Sequence, residues 1–196
     1  MHAKRKIWVL AESSVCVAAA TALSLVTPFT MPLGGSVTPF ATLPIIIIGL
    51  RHGAKWGVLG AMAFSLVQLL LGMRNVAAVP VQTVWHMALC ALLDYVAAYT
   101  VIGFTGSIAK AFKQPVFGIA VGIALTGFGR LLCSFLSGIL IWGPFTPPEW
   151  NVWVYSLAYN AAWCLPDVGI ALIACLLLTR VRALDLLPNP SAEEAP

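Results

Sequence analysis

The chain has 196 residues, of which 60% are hydrophobic and only 9% are charged, and its formal net charge is +4. Soluble domains of this size use about a quarter of their residues as Asp, Glu, Lys and Arg, so the composition excludes a water-soluble globular protein. The abundance of apolar side chains excludes a disordered chain. The few basic residues form no stripe for a phosphate backbone, which excludes a nucleic-acid-binding protein.

Six apolar stretches predict an all-α integral membrane protein with six transmembrane helices, since a helix needs about 20 apolar residues to cross the hydrocarbon core. The predicted spans are Trp8–Thr27, Pro39–Leu50, Trp56–Leu71, Pro80–Phe104, Val116–Trp142 and Val152–Leu178. The second is short and contains Pro44, so we expect it to be tilted, kinked or partly re-entrant. Residues 1–187 are predicted to form a single membrane domain, and residues 188–196 a disordered polar tail.

The positions of the basic residues predict the orientation. With six spans, nine of the eleven lie on one side of the membrane: Lys4, Arg5, Lys6, Arg51, Lys55, Lys110, Lys113, Arg180 and Arg182. The positive-inside rule then places both termini in the cytoplasm. A cleavable signal peptide is the competing interpretation of the first span. Glu12 interrupts that apolar run and five more spans follow, so we expect the first span to be retained.

No motif for catalysis or metal binding is present. The sequence contains no Walker A, H-E-x-x-H or G-x-S-x-G motif and no cluster of His with carboxylates. Three histidines are isolated, and five cysteines lie within spans without forming a C-x-x-C pair: His2, His52, His86, Cys16, Cys90, Cys133, Cys164 and Cys175. We therefore predict no catalytic residues, no metal and no cofactor.

Three charged residues lie deep within predicted spans. Asp94 and Arg130 both lie roughly 18–21 Å below the outer surface, and Asp167 lies at a similar depth. Ionisable groups at such depth usually face a protein interior or a cavity. One interpretation is a structural ion pair, either Asp94–Arg130 or Asp167–Arg130. The other is that one carboxylate remains free to meet a cationic ligand.

Polar and aromatic side chains accumulate on the outer halves of the spans, where they predict a pocket. They are Gln68, Tyr95, Ser134, Ser137, Trp142, Tyr155, Tyr159 and Asn160. Rings for stacking combined with a few polar groups are typical of a site for a small, flat, polar molecule. Trp142 is our first choice for stacking on a cationic ring. We interpret Trp150 and Trp153 as part of an interfacial aromatic belt.

Two outer loops are placed to close this pocket. Thr27–Pro39 is too irregular for a helix; its Gly34-Gly35 pair is a candidate hinge, and its apolar residues Phe29, Met31 and Leu33 are candidates to cap a ligand. Gly143–Glu149 is the second loop. The alternative is that both loops are simple connectors.

The first span carries a row of small residues, Ser14, Ala18 and Ala22, at four-residue spacing. Small residues allow a second helix to approach closely. Packing within the chain is the default interpretation of this row. Docking of a partner membrane protein is the functional alternative.

Several short motifs occur together along the chain. They are Gly34-Gly35-Ser36, Leu43-Pro44, Arg51-His52-Gly53, Lys55-Trp56-Gly57, Leu93-Asp94-Tyr95, the run R-L-L-C-S-F-L-S-G-I-L-I-W-G from Arg130, the run from Tyr155 to Asn160, and Leu165-Pro166-Asp167. In this combination the chain resembles, up to about Arg182, the S components (substrate-capture subunits) of energy-coupling-factor vitamin transporters, and among them the thiamin-specific family.

The resemblance implies a six-helix fold that holds the vitamin in the outer half of the membrane, in a subunit that is not itself an enzyme. It implies association with a transmembrane coupling subunit and two cytoplasmic ATPases in the plasma membrane of a prokaryote, with Ser14, Ala18 and Ala22 as the docking surface. Matching positions imply that Asp94 and Tyr95 form an acidic–Tyr pair at the site and that Arg130 is a basic site residue. The remaining implied ligand contacts are Trp142, Tyr155 and Asn160.

The chain departs from the family pattern at Ser134, where a His is common. Serine is shorter and carries no positive charge, so a ligand contact there is lost or mediated by water. Thiamin is the preferred ligand. A related heterocycle such as hydroxymethylpyrimidine remains an alternative, and so do a stand-alone channel or facilitator, a membrane enzyme and a purely structural subunit.

Overall fold

The computed structural model describes the backbone of residues 2–181 and the side chains of residues 4–181. The predicted tail, residues 188–196, lies outside the described residues. The helices are α1 (His2–Ser24), α2 (Leu43–His52), α3 (Ala54–Leu71), α4 (Met73–Ala77), α5 (Val84–Lys110), α6 (Pro115–Leu140) and α7 (Val152–Leu178). A 3₁₀ turn covers Gly143–Phe145, and two short strands, β1 (Phe29–Thr30) and β2 (Ser36–Val37), pair in an antiparallel sense.

The prediction of an all-α membrane protein is confirmed. Within the described residues, five helices (α1, α3, α5, α6 and α7) are long and apolar enough to cross a membrane. The sixth predicted span is the short helix α2, whose ten residues rise roughly 15 Å, about half of a hydrocarbon core. Pro44 lies in the first turn of α2, where its missing N–H costs nothing. The helix therefore begins at Leu43, and residues 39–42 form turns instead of helix.

The helix α5 changes its hydrogen-bond pattern along its length. It is α-helical at Val84–Cys90, π-helical at Ala91–Ala97, α-helical at Ala98–Thr100, 3₁₀ at Val101–Phe104 and α-helical again at Thr105–Lys110. A π-helical stretch within an α-helix is rare and often marks a functional site. In this helix the π-helical stretch contains Asp94 and Tyr95.

Glycines bring α2, α3 and α5 into backbone contact below the polar half of the bundle. A Cβ built on Gly57 would overlap the carbonyl oxygen of Gly103, and one built on Gly106 would overlap that of Gly49. Small residues are what allows helix backbones in membranes to approach so closely. Around this contact lies the main apolar core, which includes the fully buried Phe64.

An ion-pair cluster joins α1 to the end of α2. Glu12 pairs with Arg51, and its second oxygen lies 2.9 Å from His52 Nε2. The expectation that His52 is isolated from carboxylates is therefore wrong. Residues forty positions apart meet because α1 and α2 pack side by side, which brings the middle of α1 to the end of α2. The cluster gives Glu12, an acidic residue within an apolar run, a local partner.

The small-residue row of α1 faces away from the rest of the chain. Ser14, Ala18 and Ala22 are all exposed, and Ser14 Oγ donates only to the carbonyl of Leu10, at 2.9 Å. The buried face of α1 is a different one, and it includes Ala20. The default interpretation of the row, packing within the chain, is therefore wrong, and the row remains available to another protein.

Candidate substrate-binding site

A cavity of about 130 Å³ lies between the β1–β2 hairpin and the outer halves of the helices. It is lined by Leu33, Gly34, Gly35, Ser36, Asn75, Asp94, Tyr95, Tyr99, Arg130, Ser134, Gly138, Trp142, Tyr155, Ser156, Tyr159, Asn160 and Trp163. All seven residues predicted as substrate contacts, and both hinge glycines, are among them. The structure therefore brings together residues from the loop, α5, α6 and α7, although no regular spacing along the sequence connects these four segments.

Asp94 is the acidic group of the cavity. Its Oδ2 accepts hydrogen bonds from Ser137 Oγ at 2.7 Å, from Trp142 Nε1 at 3.1 Å and from Cys90 Sγ at 3.4 Å. None of the ion pairs within the described residues involves this carboxylate. Three neutral donors thus fix its position, and no basic side chain among those described pairs with it. A cationic group in the cavity would supply such a partner.

Arg130 is paired with the other deep carboxylate. Its Nη1 lies 3.2 Å from Asp167 Oδ2, and both side chains are almost fully buried. Its guanidinium also lies over two aromatic rings, 4.7 Å from the centroid of Tyr99 and 4.8 Å from that of Trp163. Of the two ion pairs that the sequence left open, the structure thus contains Arg130–Asp167. The arginine lines the cavity, and Asp167 lies behind it.

Aromatic rings form one wall of the cavity. Tyr155 and Tyr159 lie on successive turns of α7 with ring centroids 6.0 Å apart, and Trp150 contacts Tyr155 edge-on at 5.9 Å. Trp142, just beyond the end of α6, stacks on Phe145 with centroids 6.1 Å apart and planes at 28°. Its indole N–H points to Asp94, so its ring is held beside the uncompensated carboxylate. A flat cationic ligand would meet a ring and a negative charge at the same place.

The amide and hydroxyl groups between α6 and α7 complete the wall. Asn160 Nδ2 donates to the Ser156 carbonyl at 2.9 Å and to the Ser134 carbonyl at 3.2 Å. These bonds use the amide N–H groups, which leaves the side-chain oxygen as the group that Asn160 offers to a ligand. Ser134 lines the cavity and is 5% exposed, so a small hydroxyl occupies the position where a longer side chain would reach into the space.

The hairpin forms the roof of the cavity. Gly34 has φ +95, and a Cβ on Gly35 would lie 2.7 Å from Trp163 Cδ1, so both positions require glycine. Leu33 lines the cavity as expected for a capping residue. Phe29 does not, being 54% exposed, and Met31 instead packs on an apolar cluster that includes Trp163. Capping by Phe29 and Met31 was therefore a wrong expectation.

Asn75, Tyr99 and Trp163 are among the lining residues that the sequence reasoning missed. Asn75 Nδ2 donates to the Tyr95 hydroxyl at 3.3 Å, which in turn donates to the Gly72 carbonyl at 3.2 Å. Trp163 follows Tyr155 and Tyr159 at four-residue spacing, and this periodicity was a signal that could have identified it. Asn75 lies in a short connecting helix and gave no such signal. Gln68, which was predicted near the pocket, instead accepts a bond from Ser24 Oγ at 3.1 Å and does not line the cavity.

No metal-binding constellation occurs in the part of the chain that the structure describes, since no three His, Cys, Asp or Glu side chains come together there. The ionisable groups of the cavity are one carboxylate, one paired arginine and tyrosine hydroxyls. This set can bind and orient a small cation.

Comparison with known proteins gives the same family along nearly the whole chain. A family model described as "Thiamine transporter protein" matches residues 10–185. Thiamine transporter ThiT of Bacillus subtilis is 31% identical over 189 residues, covering 90% of this chain and 93% of that protein. Thiamine transporter ThiT of Lacticaseibacillus paracasei is 25% identical over 190 residues, covering 92% and 91%.

The solved structure of ThiT from Listeria monocytogenes has the same fold. It matches with a TM-score of 0.73 at 21% identity and covers 94% of this chain and 100% of that one. The fold, the family model and the two relatives agree, and the match includes every segment that lines the cavity. The chain therefore belongs to the thiamine transporter family.

Proposed function

We propose that this protein captures thiamin on the outer side of the membrane, as the S component of an energy-coupling-factor transporter. The observation that carries the proposal is Asp94, a carboxylate that lines the cavity and has no basic partner among the described residues. The other deep charges neutralise each other as the Arg130–Asp167 pair. Membership of the thiamine transporter family supports thiamin as the cation that Asp94 meets.

The cavity matches the chemistry of thiamin group by group. The thiazolium ring carries a fixed positive charge, which suits the space between Asp94 and the Trp142 ring. The aminopyrimidine ring is flat and offers donors and acceptors, which suits the side-chain oxygen of Asn160 and the Tyr155 ring. Tyr95 and Ser134 add hydroxyl groups that act as donor or acceptor. In this proposal a ligand takes the place of water around groups that the protein has already positioned.

A chain of this family is a substrate-binding membrane protein, so the energy for transport has to come from elsewhere. We propose that a transmembrane coupling subunit and two cytoplasmic ATPases provide it, and that the coupling subunit packs on the exposed row Ser14, Ala18 and Ala22. The bacterial relatives support a location in the plasma membrane of a prokaryote. Helix α1 presents this row to the lipid, where a partner helix would pack on it.

The test of ligand capture is a titration of the purified protein in detergent. Trp142 and Trp163 line the cavity, so thiamin should quench tryptophan fluorescence with a submicromolar midpoint. Hydroxymethylpyrimidine serves as the matched neutral ligand and should bind more weakly, because it has no cation for Asp94. Absence of a response to thiamin would refute the proposal. Tighter binding of the pyrimidine would assign the site to that ligand instead.

The test of the transport role uses liposomes. The chain alone should accumulate no thiamin, because the inner half of the bundle is packed around Phe64 and the glycine contacts. Uptake should require the coupling subunit, the ATPases and ATP. Thiamin flux through liposomes that contain only this chain would show that it is a stand-alone facilitator.

A further inference from the structure

The segment from Gly35 to Thr38, which contains β2, lies along one face of α7. That face is built from every fourth residue of the helix. Tyr159 accepts a hydrogen bond from Gly35 N–H at 3.1 Å. Trp163 packs against Gly35. Asp167, one turn further along, accepts a bond from Thr38 N–H at 2.8 Å through Oδ1 and one from Thr38 Oγ1 at 3.2 Å through Oδ2. The segment that forms the roof of the cavity is thus hydrogen-bonded to one face of α7 at two residues, Tyr159 and Asp167.

The hydrogen bonds to Asp167 are stronger than the bond to Tyr159 because their acceptor is a charged carboxylate. Hydrogen bonds to charged groups are worth about twice as much as neutral ones. The same carboxylate pairs with Arg130 at 3.2 Å, which compensates the cost of burying it. One side chain therefore touches both the end of the roof and a residue of the cavity wall.

Opening of the roof would have to break these bonds. Thr38 immediately follows β2, so a movement of the hairpin away from α7 would stretch the hydrogen bonds that the N–H and hydroxyl of Thr38 donate to Asp167. Both groups are buried with Asp167, since Thr38 is 8% exposed and Asp167 4%. Separated from each other without another partner, these groups would lose their hydrogen bonds in an apolar environment.

We propose that Asp167 is a positioning residue that latches the hairpin over the cavity through Thr38, and that the Arg130–Asp167 pair joins this latch to the substrate-binding wall. The proposal rests on the proposed function, because it concerns how a captured ligand is retained. It predicts that the lifetime of the bound state depends on Thr38, a residue that does not line the cavity.

The test uses Thr38 because removing Asp167 would leave Arg130 buried without its partner and would endanger folding. Thr38→Val removes the hydroxyl bond and keeps a β-branched side chain. Thr38→Ser retains the hydroxyl and serves as the rescue variant. Thr42→Val is the matched control: Thr42 is equally buried, four residues further on, and its side chain makes no capping bond to α2.

Stopped-flow tryptophan fluorescence measures the rate constants of thiamin binding. Thr38→Val should raise the dissociation rate constant about tenfold without lowering the association rate constant, as expected for losing one hydrogen bond to a charged group. Thr38→Ser and Thr42→Val should match the wild type. An unchanged dissociation rate in Thr38→Val would overturn the proposal. So would an equal rise in Thr42→Val, or a fall in the association rate constant, either of which would indicate general damage to packing.

Amide hydrogen exchange of residues 29–38 tests the latch without thiamin. Thr38→Val should raise exchange across this segment at least fivefold, and Thr42→Val should not. If the wild type binds no thiamin, the proposed function fails while this measurement still decides the latch. Unchanged exchange in Thr38→Val would refute the latch, whatever ligand the cavity holds.

Discussion

The replacement Asp94→Asn tests the central electrostatic argument with the smallest change in shape. The carboxylate and the amide have nearly the same volume, and the amide oxygen can still accept the bond from Ser137 Oγ, now 2.7 Å long. The amide nitrogen then takes the place of the other carboxylate oxygen. The substitution therefore removes a negative charge from the cavity while most of the local packing remains.

The size of the effect follows from the charge that is lost. Two unit charges about 4 Å apart attract each other by roughly 4 kcal/mol at an effective dielectric constant of about 20. The amide dipole retains part of this attraction, so we expect a loss of about 2–4 kcal/mol. This corresponds to a thiamin Kd raised roughly 30- to 1,000-fold.

The assay is a fluorescence titration of each purified variant with thiamin and with neutral hydroxymethylpyrimidine. Asp94→Asn should lose far more affinity for the cation than for the neutral ring. Ser137→Ala is the matched control, since it deletes one donor to Asp94 and leaves the charge in place, and we expect a loss of tenfold or less. Asp94→Glu keeps the charge and should retain most of the affinity for thiamin.

The reasoning would be refuted if Asp94→Asn bound thiamin within threefold of the wild type. Asp94 would then be a structural acceptor for Ser137 and Trp142, and the positive charge of the ligand would lie elsewhere in the cavity. Equal losses for thiamin and for hydroxymethylpyrimidine would also contradict it, because they would indicate a distorted cavity and not a missing charge.

Three further replacements test other parts of the structure. Tyr159→Phe removes the neutral bond to Gly35 N–H and should weaken thiamin binding less than tenfold in the same titration; a loss as large as that of Asp94→Asn would contradict the ranking. Gly35→Ala places a Cβ 2.7 Å from Trp163 Cδ1 and should weaken thiamin binding at least tenfold. Unchanged affinity would contradict the requirement for glycine at this position. Ala18→Leu on the exposed face of α1 should leave thiamin binding intact and abolish co-purification with the coupling subunit. Ala63→Leu, at an exposed alanine of α3, is the control and should affect neither property. If Ala18→Leu still co-purified with the coupling subunit, the docking surface would lie elsewhere.

The site residues show how much of the site could be predicted from the order of residues along the chain. Asp94, Arg130 and Asn160 were identifiable because a polar group deep in an apolar run requires a partner, whichever way its helix is turned. Which carboxylate pairs with Arg130 was not identifiable. That choice depends on the rotation of α5 about its axis, and the π-helical stretch around Asp94 changes the number of residues per turn. The spacing rules of an α-helix therefore do not predict which face Asp94 occupies.

The pairing of β1 and β2 in a hairpin could not be predicted from the sequence, for a different reason. Each strand has only two residues, too few to produce a period-two pattern. The hairpin is held by bonds to Tyr159 and Asp167, which lie more than a hundred residues away. The direction of the row Ser14, Ala18 and Ala22 was undecided in the same way, because small residues suit a helix contact inside the chain as well as one outside it.

The sequence by itself determined that the chain spans a membrane, roughly where its helices lie and which polar residues need an explanation, because hydropathy and charge are local properties of the chain. Only the tertiary structure decided that Asp167 and not Asp94 neutralises Arg130, that His52 meets Glu12, and that a hairpin covers the cavity. The physical reason is that ion pairs and hydrogen bonds act over a few ångströms, and such distances exist only after the helices have packed. The scarcity of charge makes these few pairings decisive, since one carboxylate without a basic partner remains beside the aromatic wall.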